Sequence, residues 1–334
     1  MAEADYGSSD DDNALLALRQ LSISDNGTEA DILIGHSIEL YCENGWTLDA
    51  RRAMVELASD YQKSLGDRIT HYFPRKSSRL KKIEDVDWVD YFLKLAETVK
   101  VDDEEGFDTT LYGFEGGEDI DAATPYFFCA IGSPQYKRYS RVNAYYPADW
   151  FRREEGFDRY VKEMQRWCSL LKVSHGTAGF SIILEEGQPK DRGVRKAFPL
   201  LKRFPGLDLP YSSRWSSSVR RADKRYIRTV NWLTAIDDTF VQQLGGLDHV
   251  RAALGDGVPI HGYDGGVILQ AGIRPEIGDV NHDHIPVAYQ KVAQLLEPLM
   301  FKDFSAKLPY VYAPKPLDSL EETRKWIERF NPAG

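Results

Sequence analysis

Strand-like apolar runs and amphipathic helical stretches alternate along this chain, and that alternation limits the possible folds more than any other feature. Residues 31–43 read DILIGHSIELYCE, with Ile, Leu and Tyr alternating as they do on a pleated strand. Gly45 then breaks the strand, and Thr47 can cap a helix that carries Asp49 in its first turn. Met54, Leu57, Ala58, Tyr61 and Leu65 fall on one face of that helix, and Gly66 is suited to ending it. The extended piece RITHYFPR, residues 68–75, completes a strand–helix–strand unit.

The pattern lapses and then returns. Residues 75–124 are more polar and read as irregular. Beyond them PYFFCAIGS (125–133) and SRVNAYYPADWF (140–151) read as strands, the second running into a turn. FDRYVKEMQRWCSLL (157–171) has Phe157, Tyr160, Val161, Met164, Cys168 and Leu171 at helical spacing, and HGTAGFSIILEE (175–186) reads as a strand. A helix with loop ends follows over 194–209, then the strand-like IRTVNWLTAI (227–236) and two short helices, DDTFVQQLGG and one around His249 to Leu254. Val292, Leu295, Leu296 and Leu299 stripe a later helix, and Ser319 with Glu322 forms a possible capping box for a last one, SLEETRKWIERF.

Strand and helix pairs recurring about three times imply an α+β fold: a mixed or antiparallel sheet covered by helices on one side, built from repeated strand–helix–strand units. The expected organisation is an acidic tail over 1–28, a main domain over 29–305 with a possible break into sub-lobes near 186–212, and an extension over 306–334 ending in a helix. The first 13 residues are acidic and have no apolar core, and no run approaches the ~18 apolar residues of a membrane helix. A cytoplasmic protein is the expectation.

Hydrophobic residues make up 42% of the chain, enough for a sizeable core. The formal charge of −10 argues against direct nucleic-acid binding, which needs a basic field to displace counterions. It suits an enzyme, or a protein that captures a basic partner. The 18 Tyr and 7 Trp serve cores and protein-binding surfaces equally well. Cys42, Cys129 and Cys168 lie far apart in apolar surroundings, which reads as reduced buried thiols and not as a disulfide framework or zinc cluster.

Three stretches carry residue types that chemistry could use. His282 and His284, with Asp279 or Asp283 as a third ligand, could hold a metal ion for a hydrolase, both imidazoles lying on one face of an extended segment. The competing reading, a polar loop whose Asp and Asn serve turns, is preferred because no other ligand motif supports the site. His175 stands beside Gly176 and Gly179 but has no visible partner to make it a general base. RWSSSVRRADKRYIR, residues 214–228, could clamp phosphate, yet reads better as a charged face interleaved with aromatics. No Gly-x-Gly-x-x-Gly, P-loop or Gly-x-Ser-x-Gly signature is present. No cofactor, resident metal or catalytic residue is expected.

The strings HSIELYCENG and ARRAMVELASDYQKSLGDRITHYFPR, then YPADWF and FDRYVKEMQRWCSLLKVSHGTAGFSI, resemble the bacterial type VI secretion immunity family that accompanies VRR-Nuc nuclease effectors. IRTVNWLTAIDDTFVQQLGG, with Asn231 to Thr234 and Leu244-Gly245-Gly246, is the most specific segment. GGVILQAGIRPEIGDVN and the helix after it extend the resemblance over residues 30–305. It implies an immunity protein, not an enzyme: an antitoxin in interbacterial competition that binds and neutralises a cognate effector, a DNA-cleaving nuclease. A nuclease presents a basic cleft, so the contact residues expected are the exposed acidic runs Asp102, Asp103, Glu104, Glu105 and Glu115, Glu118, Asp119, Asp121.

Overall fold

The fold is a computed structural model that describes residues 32–331 except 102, 104–105, 115–121, 135–138, 154–155, 185–190, 221 and 306. The acidic tail therefore lies outside the described residues.

The chain opens with β1 (Ile32–Cys42) and α1 (Leu48–Leu65). Thr47 caps α1 by accepting from the Ala50 amide at 3.3 Å, and Gly66 ends it at φ +58, as the sequence pattern foretold. The extended RITHYFPR contributes only the two-residue β2 (His71–Tyr72), paired with β3 (Lys81–Lys82).

Where it is described, the segment read as irregular holds regular elements. It holds α2 (Trp88–Thr98), capped by Asp87, and β4 (Phe107–Tyr112). Trp88, Phe92 and Ala96 bury one stripe of α2 against the sheet, a helical spacing that the surrounding charges obscure.

β5 (Phe127–Gly132), β6 (Ser140–Pro147), the single turn α3 (Trp150–Arg153), α4 (Phe157–Leu171) and β7 (His175–Leu184) follow as the patterning indicated. Then come α5 (Asp191–Arg203), α6 (Ser212–Val219), β8 (Leu233–Asp237), α7 (Asp238–Gln243) and α8 (Leu247–Leu254). Gly245 and Gly246, both at φ +93, make the turn between α7 and α8, a conformation that a Cβ would strain. β9 (Ile260–Tyr263), β10 (Gly266–Gln270), α9 (Val287–Leu296) and α10 (Ser319–Ile327) complete the chain. The cap of α10 is Asp318, which accepts from Leu320 N at 2.7 Å. Ser319 instead accepts the Ala313 amide, so the expected capping box does not form.

The described strands form one antiparallel sheet in the order β3-β2-β4-β5-β6-β1-β7-β8-β10-β9. β1 lies between β6 and β7, with Glu39 opposite Asn143 on one side and Thr177 on the other. Because of this central place both faces of β1 are covered, and nearly every residue of it is buried.

α1 and α4 pack on the first face, where Tyr61 meets Phe128 and Tyr146, and His36 lies among Phe151, Phe157 and Tyr160. Arg166 of α4 clamps Glu56 and Asp60 of α1 at 2.7 and 3.1 Å. The sheet is thus helix-covered as expected, but the second face is covered too. There Trp215 of α6 packs on Tyr41 and His175, backed by Phe301, Phe304, Tyr310 and Trp326. Trp167, Trp215 and Trp232 are all fully buried. At ~25 cal/mol per Å² of apolar surface, each contributes several kcal/mol of transfer free energy, so these wedges hold the layers together.

Candidate functional site

Ionisable groups in the second layer converge on Arg228, which is buried beneath α6. Its guanidinium donates to Asp208 Oδ1 at 2.7 Å and Thr177 Oγ1 at 2.8 Å, and lies 2.6 Å from Glu39 Oε2. Tyr41 donates to the other Glu39 oxygen at 2.8 Å, and Tyr310 reaches the Leu209 carbonyl at 2.6 Å. One cation thus serves two carboxylates. Burial pushes the Glu39 carboxyl up to about 7, against the pull of Arg228, while Asp208 adds to the rise. At Asp208 burial is outweighed by Arg228 and by Thr177, and its carboxyl is held below the usual range. This cluster ties β1, β7, the segment after α5 and the segment before β8 into one core, and is sealed from solvent.

His175 belongs to the same layer. Its ring stacks on Tyr41 at 4.6 Å and meets Tyr139, Trp215 and Phe240 edge-on. Neither ring nitrogen has a hydrogen-bond partner among the described residues. Burial first, then Arg228 and Arg225, holds it neutral, its pKa well below the ordinary histidine value. It is packed in the core, 2% exposed. Burial likewise pushes the Cys42 thiol up to about 12 and the Cys168 thiol higher, so neither provides a thiolate nucleophile. Cys129 is half-buried and accepts a hydrogen bond from Thr110 at 3.4 Å.

The other candidates disperse in the same way. Asp279 makes a paired contact with Arg203 and accepts from His282 Nδ1 at 2.8 Å, whereas His284 faces Glu276 at 3.3 Å. Arg203, more than any other cause, holds the Asp279 carboxyl far below its usual range. Among the described residues no group of three His, Cys, Asp or Glu side chains is placed to hold a metal ion.

The basic stretch is not one charged face. Arg214 lies over Tyr211 and Tyr312, Arg225 pairs with Asp237 and Glu43, and Arg228 is in the core, leaving Arg220 and Lys224 exposed. Of the acidic residues expected to meet a partner, Asp103 sits 2.8 Å from Arg75. Asp102, Glu104, Glu105, Glu115, Glu118, Asp119 and Asp121 lie outside the described residues.

The second face of the sheet has an opening over β4, β5 and β6 and in front of the first turn of α6. It is a groove of about 210 Å³, floored by Tyr112, Phe127, Arg141, Asn143 and Tyr145 and walled by Tyr211 and Ser212. Asn143 is 8% exposed and donates to Ser212 Oγ at 3.0 Å, but its carbonyl oxygen accepts nothing among the described residues. Arg141 projects from the same face of β6, two residues away. A groove of this size admits one or two side chains, not a nucleotide cofactor.

Residues 53–330 match the sequence profile of a family described as type VI immunity for VRR-NUC, named TsiV. The chain belongs to this family. The Pseudomonas aeruginosa T6SS protein PA0821 has a similar fold, with a TM-score of 0.76 at 19% identity, over 96% of this chain and 91% of that one. A comparison with curated proteins gave no match.

Among the described residues no helix is long and apolar enough to cross a membrane. The groove escaped notice in the sequence because its members come from several strands and a helix spread between Thr110 and Ser213. The one local signal was the alternation Arg141, Asn143, Tyr145, which puts all three on the same face of β6.

Proposed function

We propose that this immunity protein acts by binding its cognate type VI effector directly, in the cytoplasm, and holding that nuclease away from DNA, without a reaction of its own. The observation that carries the reading is the family match over residues 53–330. Charge supports it: a chain of net charge −10 is steered towards a basic nucleic-acid cleft and competes with DNA for it. The chemistry of the interior also supports it, since the histidine and two of the cysteines that could have served catalysis are packed in the core and neutral. In this reading the acidic runs at 102–105 and 115–121 contribute to the speed of association more than to affinity. The test is co-expression with the effector encoded beside it. Growth should be restored and the two chains should co-purify in fixed stoichiometry. Failure to bind any neighbouring product would sink the reading.

A further inference from the structure

We infer that the groove over β4, β5 and β6 is an anchor pocket for an acidic segment of the effector. The segment places an Asp or Glu carboxylate on Arg141, a backbone N–H on Asn143 Oδ1 and an apolar side chain against Tyr112, Phe127 and Tyr145. The inference rests on the immunity reading and adds to it the surface and the chemistry of the contact.

Two unmet demands lie in one small depression. Asn143 is more than nine-tenths buried, and its amide donates to Ser212 while its carbonyl oxygen has no donor among the described residues. A buried acceptor left without a donor costs about 1–3 kcal/mol, and a bound N–H would remove that cost.

Arg141 is the second demand. Among the described residues it makes no hydrogen bond and no ion pair, in contrast to Arg214, Arg225 and Arg228 nearby. It is also the only charged residue among the described residues lining the groove. Its charge acts on the Glu39 carboxyl of β1, but among the described residues no carboxylate pairs with it, so its fork of donors is left to match a carboxylate brought by a partner.

Arg141 and Asn143 are two residues apart on one face of β6, about 6.6 Å along the strand, so one extended segment can satisfy both. The aromatic floor gives the desolvated surround in which such a charge pair gains most, as at the centres of tight interfaces. The volume of about 210 Å³ fits one or two inserted side chains. This contact is local and opposite in sign to the long-range attraction that brings the acidic protein to a basic nuclease. It supplies what rim charges lack, a slow off-rate.

The probe is the neighbouring effector in a catalytically dead form, titrated against full-length protein by calorimetry and by association and dissociation kinetics. If wild type binds, R141E should raise the Kd about 100-fold, mainly through dissociation, and R141K should fall in between. N143L should cost about tenfold. R166Q, on the opposite face between α1 and α4, should bind like wild type. Unchanged melting of R141Q shows that the fold is intact, as expected where Arg141 makes no hydrogen bond or ion pair among the described residues, and R141E is compared with R141Q because its carboxylate stands near Glu39.

A photo-crosslinking residue at Ser213, mapped by mass spectrometry, should capture an effector peptide containing Asp or Glu. Wild-type affinity in both R141E and N143L overturns the inference and leaves the immunity reading standing. So does a cross-link to this chain's own residues 1–31 or 115–121, to a second copy, or to a peptide without a carboxylate. A wild type that binds no effector overturns the immunity reading itself.

Discussion

Glu39 Oε2 lies 2.6 Å from the guanidinium of Arg228, although 189 positions separate them and both side chains are shut off from solvent. Asp208 holds the same guanidinium from the other side. The arrangement places two potential anions and the Arg228 cation inside a core of Tyr41, Trp215 and Tyr310, with the charge of Arg329 also acting on Asp208, and each buried charge is tolerated because of the others.

Removing the cation should therefore be costly. Arg228→Met leaves two carboxyls buried without their paired guanidinium, with only the more distant charge of Arg329 still acting on Asp208, and should lower stability by about 3–5 kcal/mol, measured by urea unfolding. Neutralising the partners as well, in the triple variant with Glu39→Gln and Asp208→Asn, should return more than ~1 kcal/mol of that loss. A triple variant no more stable than Arg228→Met would mean the residues do not act as one electrostatic unit.

Glu39 also predicts how stability depends on pH. Burial raises its carboxyl from 4.5 to about 7 in the folded protein. The folded chain therefore keeps a proton that the unfolded chain releases. The stability this proton contributes is full below pH 4.5 and is lost as the pH rises through 7. Glu39→Gln carries a neutral amide throughout, so its stability relative to wild type should improve between pH 5 and pH 8, by on the order of 1–3 kcal/mol. The readout is the change in that difference with pH. A difference that stays flat from pH 5 to 8 counts against the raised carboxyl.

His175 offers a test of the non-enzymatic reading. Its neutral ring is packed among four aromatic groups and bonded to none of the described residues. His175→Phe should leave stability within about 1 kcal/mol of wild type, or raise it, because no hydrogen bond is broken and a buried polar ring is removed. Protection against the effector should be unchanged. A folded His175→Phe protein that no longer protects would give the histidine a functional role.

The acidic run at 102–105 should act through rate. Reversing Asp102, Asp103, Glu104 and Glu105 to Lys should slow association with the effector about tenfold at low salt, with the gap closing at ~0.5 M salt. Asp103 is paired with Arg75, so Asp103→Asn alone serves as the control for a purely local effect. An association rate unchanged in the fourfold reversal would place the steering charges elsewhere.

Much of the fold could be read from the amino acids in order. β1, α1, α4 and β7 lie where the period of the apolar residues put them, and α1 begins and ends at Thr47 and Gly66. Segment 75–124 was not legible, because α2 buries a narrow stripe and its many charges hide it. The basic stretch misled for a related reason. Arginine looks the same in a sequence whether it stands in water like Arg220 or is sealed between carboxylates like Arg228.

The sequence by itself determined the α+β class, the main helices and strands and the membership of an immunity family, because periodicity, capping and motif are properties of neighbours along the chain. The tertiary structure alone decided that β1 is central and buried on both faces, that helices lie on both sides of the sheet, and that Arg228 is internal while Arg141 faces an open groove. Those outcomes depend on which distant segments meet. The physical reason is that strand pairing, burial and ion pairing are settled between residues a hundred or more positions apart, where local pattern carries no information.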